Sequence, residues 1–134
     1  MKRANILIIT GFALIAFILL SFDTPEGEKN PWEIPEKYKK MENPYKGDKG
    51  LDRVGKIFYA KHCKSCHGGR GHGDGPKAKQ IDAVMFDFST EEFQSKFSDG
   101  EIYYMSIIGR DEMPNFEEKL TDEEDRWAIV NYIR

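Results

Sequence analysis

From Ala4 to Phe22 the chain is almost unbroken apolar sequence, interrupted by Asn5, Thr10, Gly11 and Ser21, with Lys2 and Arg3 ahead of it and no acidic residue before Asp23. A helix of that length rises about 28 Å, close to the roughly 30 Å of a bilayer's hydrocarbon core. The pattern predicts a single N-terminal transmembrane helix over residues 1–22. The competing reading is a removed secretory signal, but the small residues that a cleavage site needs are missing around Leu19-Leu20-Ser21-Phe22-Asp23. Both readings export the remainder of the chain. Lys2 and Arg3 stay on the cytoplasmic side, so the body of the chain belongs in the periplasm or on the outer side of the inner membrane.

The pattern changes at Asp23. Pro25, Pro31, Pro35 and Pro44 are spaced among Glu, Lys, Asn and Gly, which favours extended and turn conformations over long helices, so residues 23–50 read as a Pro-rich tether. Trp32, Ile34, Tyr38 and Met41 are apolar enough for part of that tether to lie against a domain surface. Beyond it, Leu51, Val54, Gly55, Phe58, Tyr59 and His62 recur at helical spacing and predict an amphipathic helix over 51–62. Residues 68–76 hold Gly68, Gly69, Gly71, Gly73, Gly75 and Pro76 and must form a loop. A short helix is expected over Thr90–Phe97. A second runs over Asp99–Ile108, capped by Ser98 or Asp99 and stopped by Gly109. Thr121 and Glu124 stand in a capping-box relation ahead of Trp127, Ala128, Val130, Tyr132 and Ile133, predicting a last amphipathic helix. No stretch shows convincing β-alternation. Residues 51–134 therefore read as an all-α domain with long connections, too poor in side-chain core to be comfortable without something else at its centre.

Composition adds bounds. At 134 residues, with 40% hydrophobic and 32% charged residues, the chain has room for one domain and not for a large multi-domain enzyme. A net charge of −3 excludes a typical nucleic-acid binder. That mild total hides an imbalance. Residues 31–80 hold 12 basic and 6 acidic side chains, whereas residues 81–134 hold 5 basic and 14 acidic ones.

Cys63 and Cys66 are the only cysteines and stand too close together to staple distant parts of a fold. With His67 they form Cys63-Lys64-Ser65-Cys66-His67, the C-x-x-C-H signature of c-type haem attachment. The spacing lets each thiol form a thioether to a haem vinyl group while the adjacent histidine swings under the iron as proximal ligand. A thioredoxin-like dithiol lacks its βαβ context. A structural zinc site lacks a second ligand pair, since His62 and His72 flank the same motif. One covalent haem c is the expected cofactor.

On these residues the chain from about Leu51 to Arg134 resembles the class I mono-haem c-type cytochromes, here of the bacterial, membrane-anchored kind. Gly55 and Tyr59 precede Cys63 as the family's packing glycine and aromatic do, and Trp127 and Tyr132 fall in the helix that, in the family, crosses the first one at that glycine. The resemblance implies a cytochrome c-like helical domain around the haem. It also implies that the Pro76 carbonyl, in the loop Gly71-His72-Gly73-Asp74-Gly75-Pro76, orients His67. Family members carry the axial methionine in a Met-Pro loop ahead of the last helix, which selects Met113 of Met113-Pro114 as sixth ligand. Met1 and Met41 lie outside the domain, Met85 follows the glycine loop, and Met105 belongs to the apolar stripe of its helix. His62 and His72 are expected at the surface.

His/Met ligation leaves no open iron site and raises the potential, so the implied function is single-electron transfer and not catalysis. The implied partners are redox proteins, a respiratory complex or a terminal reductase, with the membrane met through the N-terminal helix and no small-molecule substrate. The basic and acidic halves could orient those encounters. The alternatives are a fixed haem-bearing subunit of a larger respiratory complex, or an enzymatic or sensory protein in which Met113 gives way to a small ligand.

Overall fold

A computed structural model of the chain describes residues 32–134. The expected membrane segment, 1–22, and the start of the Pro-rich segment lie outside the described residues. Among the described residues the regular structure is helical, apart from an isolated antiparallel bridge between Arg110 and Met113, and no helix is long and apolar enough to cross a membrane.

The first long helix starts slightly earlier than its apolar stripe. After a short helix α1 (Glu36–Lys39), α2 spans Lys49–His62 because Asp48 caps it, its carboxylate accepting from the Gly50 and Leu51 amides. A one-turn helix α3 (Lys64–His67) follows directly, and a 3₁₀ turn occupies Ala78–Gln80. Helix α4 (Glu91–Lys96) is capped by the Thr90 hydroxyl on the Phe93 amide. Helix α5 (Asp99–Tyr103) is capped by Ser98 in a full capping box with Glu101.

Three expectations change. The helix expected over Asp99–Ile108 widens after Tyr103 into a π-helical turn, Tyr104–Ile108, closed by the Gly109 amide on the Tyr104 carbonyl at 3.2 Å. Met105, Ser106 and Ile107, three consecutive residues of that turn, are all buried. The last helix, α6 (Glu123–Ile133), is capped by Asp122 on the Glu124 amide at 3.1 Å, not by Thr121. A carboxylate at a helix N-terminus bonds the free amides and meets the positive end of the helix dipole, both of which favour Asp122. Nor is α6 amphipathic in the simple sense: Trp127, Ala128, Ile129 and Val130 are consecutive and at most 1% exposed. Packing from more than one side removes the polar face that periodicity implies.

The principal crossing is between α2 and α6. It is centred on Gly55, where an added Cβ would overlap the Ala128 carbonyl oxygen. Tyr59 and Tyr132 pack beside that crossing with ring centroids 5.1 Å apart. The other side of α6 meets α5 and the π turn, where Trp127 lies 4.7 Å from the Tyr103 ring. Arg126 ties the approach to α6, donating to the Leu120 and Glu117 carbonyls.

The Pro-rich segment contributes to this core. Ile34 is 6% exposed and belongs to the main apolar cluster, with Trp32, Tyr38, Met41 and Tyr45 packed against it. Asn131 of α6 holds the segment in place, its amide donating to the Tyr45 carbonyl at 2.7 Å and its oxygen accepting from Asn43 at 2.7 Å.

Candidate haem-binding site

The attachment motif sits where α2 gives way to α3. The Cys63 and His67 amides bond the Tyr59 and Cys63 carbonyls, so the chain keeps winding through Cys63-Lys64-Ser65-Cys66-His67 and both cysteines lie on one tight turn. Neither thiol is in a disulfide. Cys63 is buried, and burial pushes its thiol up to about 12, with the Cys66 thiol beside it a lesser cause. It is therefore protonated and inert as a nucleophile in its own right at neutral pH.

The glycine loop folds back over this turn. The Gly73 amide donates to the His67 carbonyl (2.9 Å), Gly75 to Cys66 (3.1 Å) and Lys77 to Ser65 (2.9 Å). Tyr59 supports the same place from α2, its hydroxyl donating to the Gly68 carbonyl at 2.9 Å. Burial, reinforced by Cys63, Tyr132 and Asp74, raises the Tyr59 hydroxyl far above its ordinary value and keeps it a donor.

His67 is held by packing. Its ring stacks on Phe88 with centroids 4.7 Å apart, and burial lowers its pKa to about 4, so the imidazole is neutral. Nδ1 is buried without a hydrogen-bond partner. The bond expected from the Pro76 carbonyl is therefore not made in this structure, although the chain on either side of Pro76 is bonded to the motif through Gly75 and Lys77. Phe88 was not apparent from the sequence as a site residue. It is placed by its own amide on the Gly71 carbonyl (2.8 Å), by Gln94 on its carbonyl (2.7 Å), and by the neighbouring Asp87–His72–Ser89 cluster. The aromatic pair Phe86 and Phe88 was the available signal.

His72 is exposed, as expected, with Nδ1 3.2 Å from the Asp87 carboxylate. His62 is not a plain surface residue. It is half-buried against the rings of Phe58 and Phe116, and desolvation, with Lys61 and Lys119 nearby, lowers its pKa.

Met113 is half-buried and packs against the apolar cluster. Its loop is closed by a reciprocal pair of backbone bonds with Arg110, at 2.7 and 2.8 Å. Gly109 precedes the turn at φ +69°, in the region that favours glycine, and an added Cβ would collide with Pro114. Asp111 also has positive φ. No hydrogen bond or ring contact joins Met113 to His67 among the described residues. The Met113 loop reaches the motif through Phe116, whose ring lies 5.5 Å from that of His62, the residue before Cys63. Met105 is buried in the core.

The donor set fits a covalently held haem: two free thiols one helical turn apart, and beside them a neutral imidazole stacked on Phe88. Among the described residues no cluster of three or more His, Cys, Asp and Glu could hold a bare metal ion instead. An all-α domain built around such a motif is a c-type cytochrome. Residues 50–133 match the family described as cytochrome c oxidase, cbb3-type, subunit III, and the chain belongs to that family. No match was found among the curated proteins. Cys63 and Cys66 offer the thioether links for haem c, which supplies an iron cycling between ferric and ferrous states. The domain is an electron carrier and its partners are redox proteins.

Proposed function

We propose that this chain carries single electrons on the outer side of the bacterial inner membrane, held there by the apolar helix of residues 1–22, with His67 and Met113 as the two axial ligands. The observation that carries the ligand assignment is the contrast between the two sides. His67 is presented neutral and packed on Phe88, while Met113 is drawn toward the apolar cluster by a loop whose backbone is fixed at both ends. The chain's own part in the transfer is to keep both ligands in place in either oxidation state and to surround them with apolar side chains, which limits reorganisation when the charge changes. With both axial positions filled, no site opens for a substrate, and the domain is not an enzyme. The basic and acidic halves of the body give its partners a charge asymmetry to recognise, an effect that salt would weaken.

The test is ligand access. Ferrous wild-type protein at neutral pH should give an unchanged spectrum under carbon monoxide, and Met113→Ala should bind it. Binding by the wild type would instead indicate a sensory or enzymatic haem. A second reading, that the chain is a fixed haem-bearing subunit of a larger respiratory complex, is favoured by the family's own description as an oxidase subunit. Purification in mild detergent separates the two: stoichiometric partner subunits support the fixed role, and an isolated chain supports the free carrier.

A further inference from the structure

The segment leading into the domain meets the Met113 loop at one side chain. The Arg110 guanidinium lies over the Trp32 ring, 4.3 Å from its centroid. Arg110 is also the residue whose amide and carbonyl both bond the backbone of Met113. A displacement of Arg110 therefore moves Met113 directly. Trp32 itself is anchored. Its ring meets Tyr104 edge-on at 6.3 Å, Tyr104 packs 4.7 Å from Tyr38, and Tyr38 stacks over Tyr103, which in turn packs on the buried Trp127. Tyr104 also accepts, through its carbonyl, the amide of Gly109 where the Met113 loop begins. One aromatic stack thus supports the start of the loop and the arginine that pairs with the methionine.

We infer that Trp32 and Arg110 are positioning residues for the iron's methionine ligand, so that the stretch entering the domain works as part of the haem crevice and not only as a spacer. The inference rests on the assignment of Met113 as axial ligand. A cation–π contact at a partly exposed site is equivalent to a change of about two- to five-fold in an equilibrium constant. The equilibrium concerned is loss of the methionine from the ferric iron.

The experiment uses the full haem-loaded chain and titrates the ferric protein with imidazole, which competes with the methionine, alongside the methionine-to-iron charge-transfer band and thermal melts. Trp32→Leu and Arg110→Leu should each tighten imidazole binding about two- to five-fold, and the double variant should do less than the product of the two, because both remove the cation–π contact. Trp32→Phe, which keeps an aromatic face under the guanidinium, should stay near wild type and guards against misfolding of the leucine variant. Unchanged imidazole affinity in Trp32→Leu, even with a lowered melting temperature, would show a purely structural role and overturn the inference. Full additivity in the double variant would overturn it too. A charge-transfer band that survives Met113→Ala sinks the ligand assignment, and the inference with it, and that outcome is distinguishable because it needs neither the Trp32 nor the Arg110 variant.

Discussion

Replacing Gly55 by alanine tests the crossing on which the domain is built. Alanine brings a gain of about 0.8–1.0 kcal/mol in helix propensity, so a loosely packed site would be stabilised. At this site the new methyl would overlap the Ala128 carbonyl oxygen, lie 2.6 Å from its carbonyl carbon and 2.9 Å from the Tyr132 Cβ. The obstacle is largely backbone, which no rotamer change relieves. Bringing the 2.6 Å approach out to 3.4 Å, where ordinary contact begins, already requires α6 to retreat by about 0.8 Å, and the nearer carbonyl oxygen requires more. A gap of about that size forfeits a quarter to a half of each dispersion contact across the interface. Overpacking of this kind costs about 1–3 kcal/mol, and the upper end applies where the neighbour is rigid, leaving a net loss of about 2 kcal/mol after the propensity gain. For a domain of roughly 100 residues that lowers Tm by about 8–16 °C. The assay is a far-ultraviolet circular dichroism melt of the haem-loaded protein, with Gly50→Ala as the control on the same helix. There the nearest atom to an added Cβ is the Asp48 cap oxygen at 3.1 Å, so the change costs at most that cap, about 1 kcal/mol, less than the loss expected at Gly55. A Gly55→Ala protein that melts at or above wild type would refute the reasoning.

Three further outcomes are expected. Gly109→Ala, which forces a side chain into positive φ and against Pro114, should displace the Met113 loop and weaken or abolish the methionine-to-iron band of the ferric protein at neutral pH; an unaltered band would count against the loop's role. Cys63→Ala with Cys66→Ala should leave all haem extractable into acidified organic solvent, while wild-type haem stays with the polypeptide; retention in the double variant would mean another attachment point. The Asp87 carboxyl is held below its ordinary value first by the Ser89 hydroxyl and amide and then by His72, so its contribution is present above the unfolded carboxyl's pKa and is lost as pH falls through the lowered one. Asp87→Asn should accordingly lower Tm slightly at neutral pH, and the difference from wild type should vanish in strong acid; a difference that grows with acidity would contradict the sign.

Local pattern and motif chemistry made much of the site legible. The stripe over 51–62 lies in α2, the Ser98 cap follows from a short hydroxyl side chain at a helix start, and the motif of Cys63, Cys66 and His67 is read from spacing alone. Harder to read were features that depend on residues brought in from elsewhere in the chain. His62 is half-buried because Phe116 comes to lie beside it, and only the aromatic pair Phe86 and Phe88 hinted at the ring that stacks on His67. The absent bond between His67 and the Pro76 carbonyl belongs to the same class, because a small difference in loop path decides whether a carbonyl meets a ring nitrogen.

By itself, then, the sequence determined the helical class of the body, the Cys63-Lys64-Ser65-Cys66-His67 motif with the haem c it implies, and two halves of opposite charge, because each depends on residue type at short separation. Tertiary structure alone decided that Ile34 belongs to the core, that α5 opens into a π turn, that α6 is buried on all sides across its middle, and that Trp32 reaches Arg110. Those outcomes are set by where surfaces far apart in the chain come to meet, and close packing lets such meetings override a local preference worth only a fraction of a kilocalorie per residue.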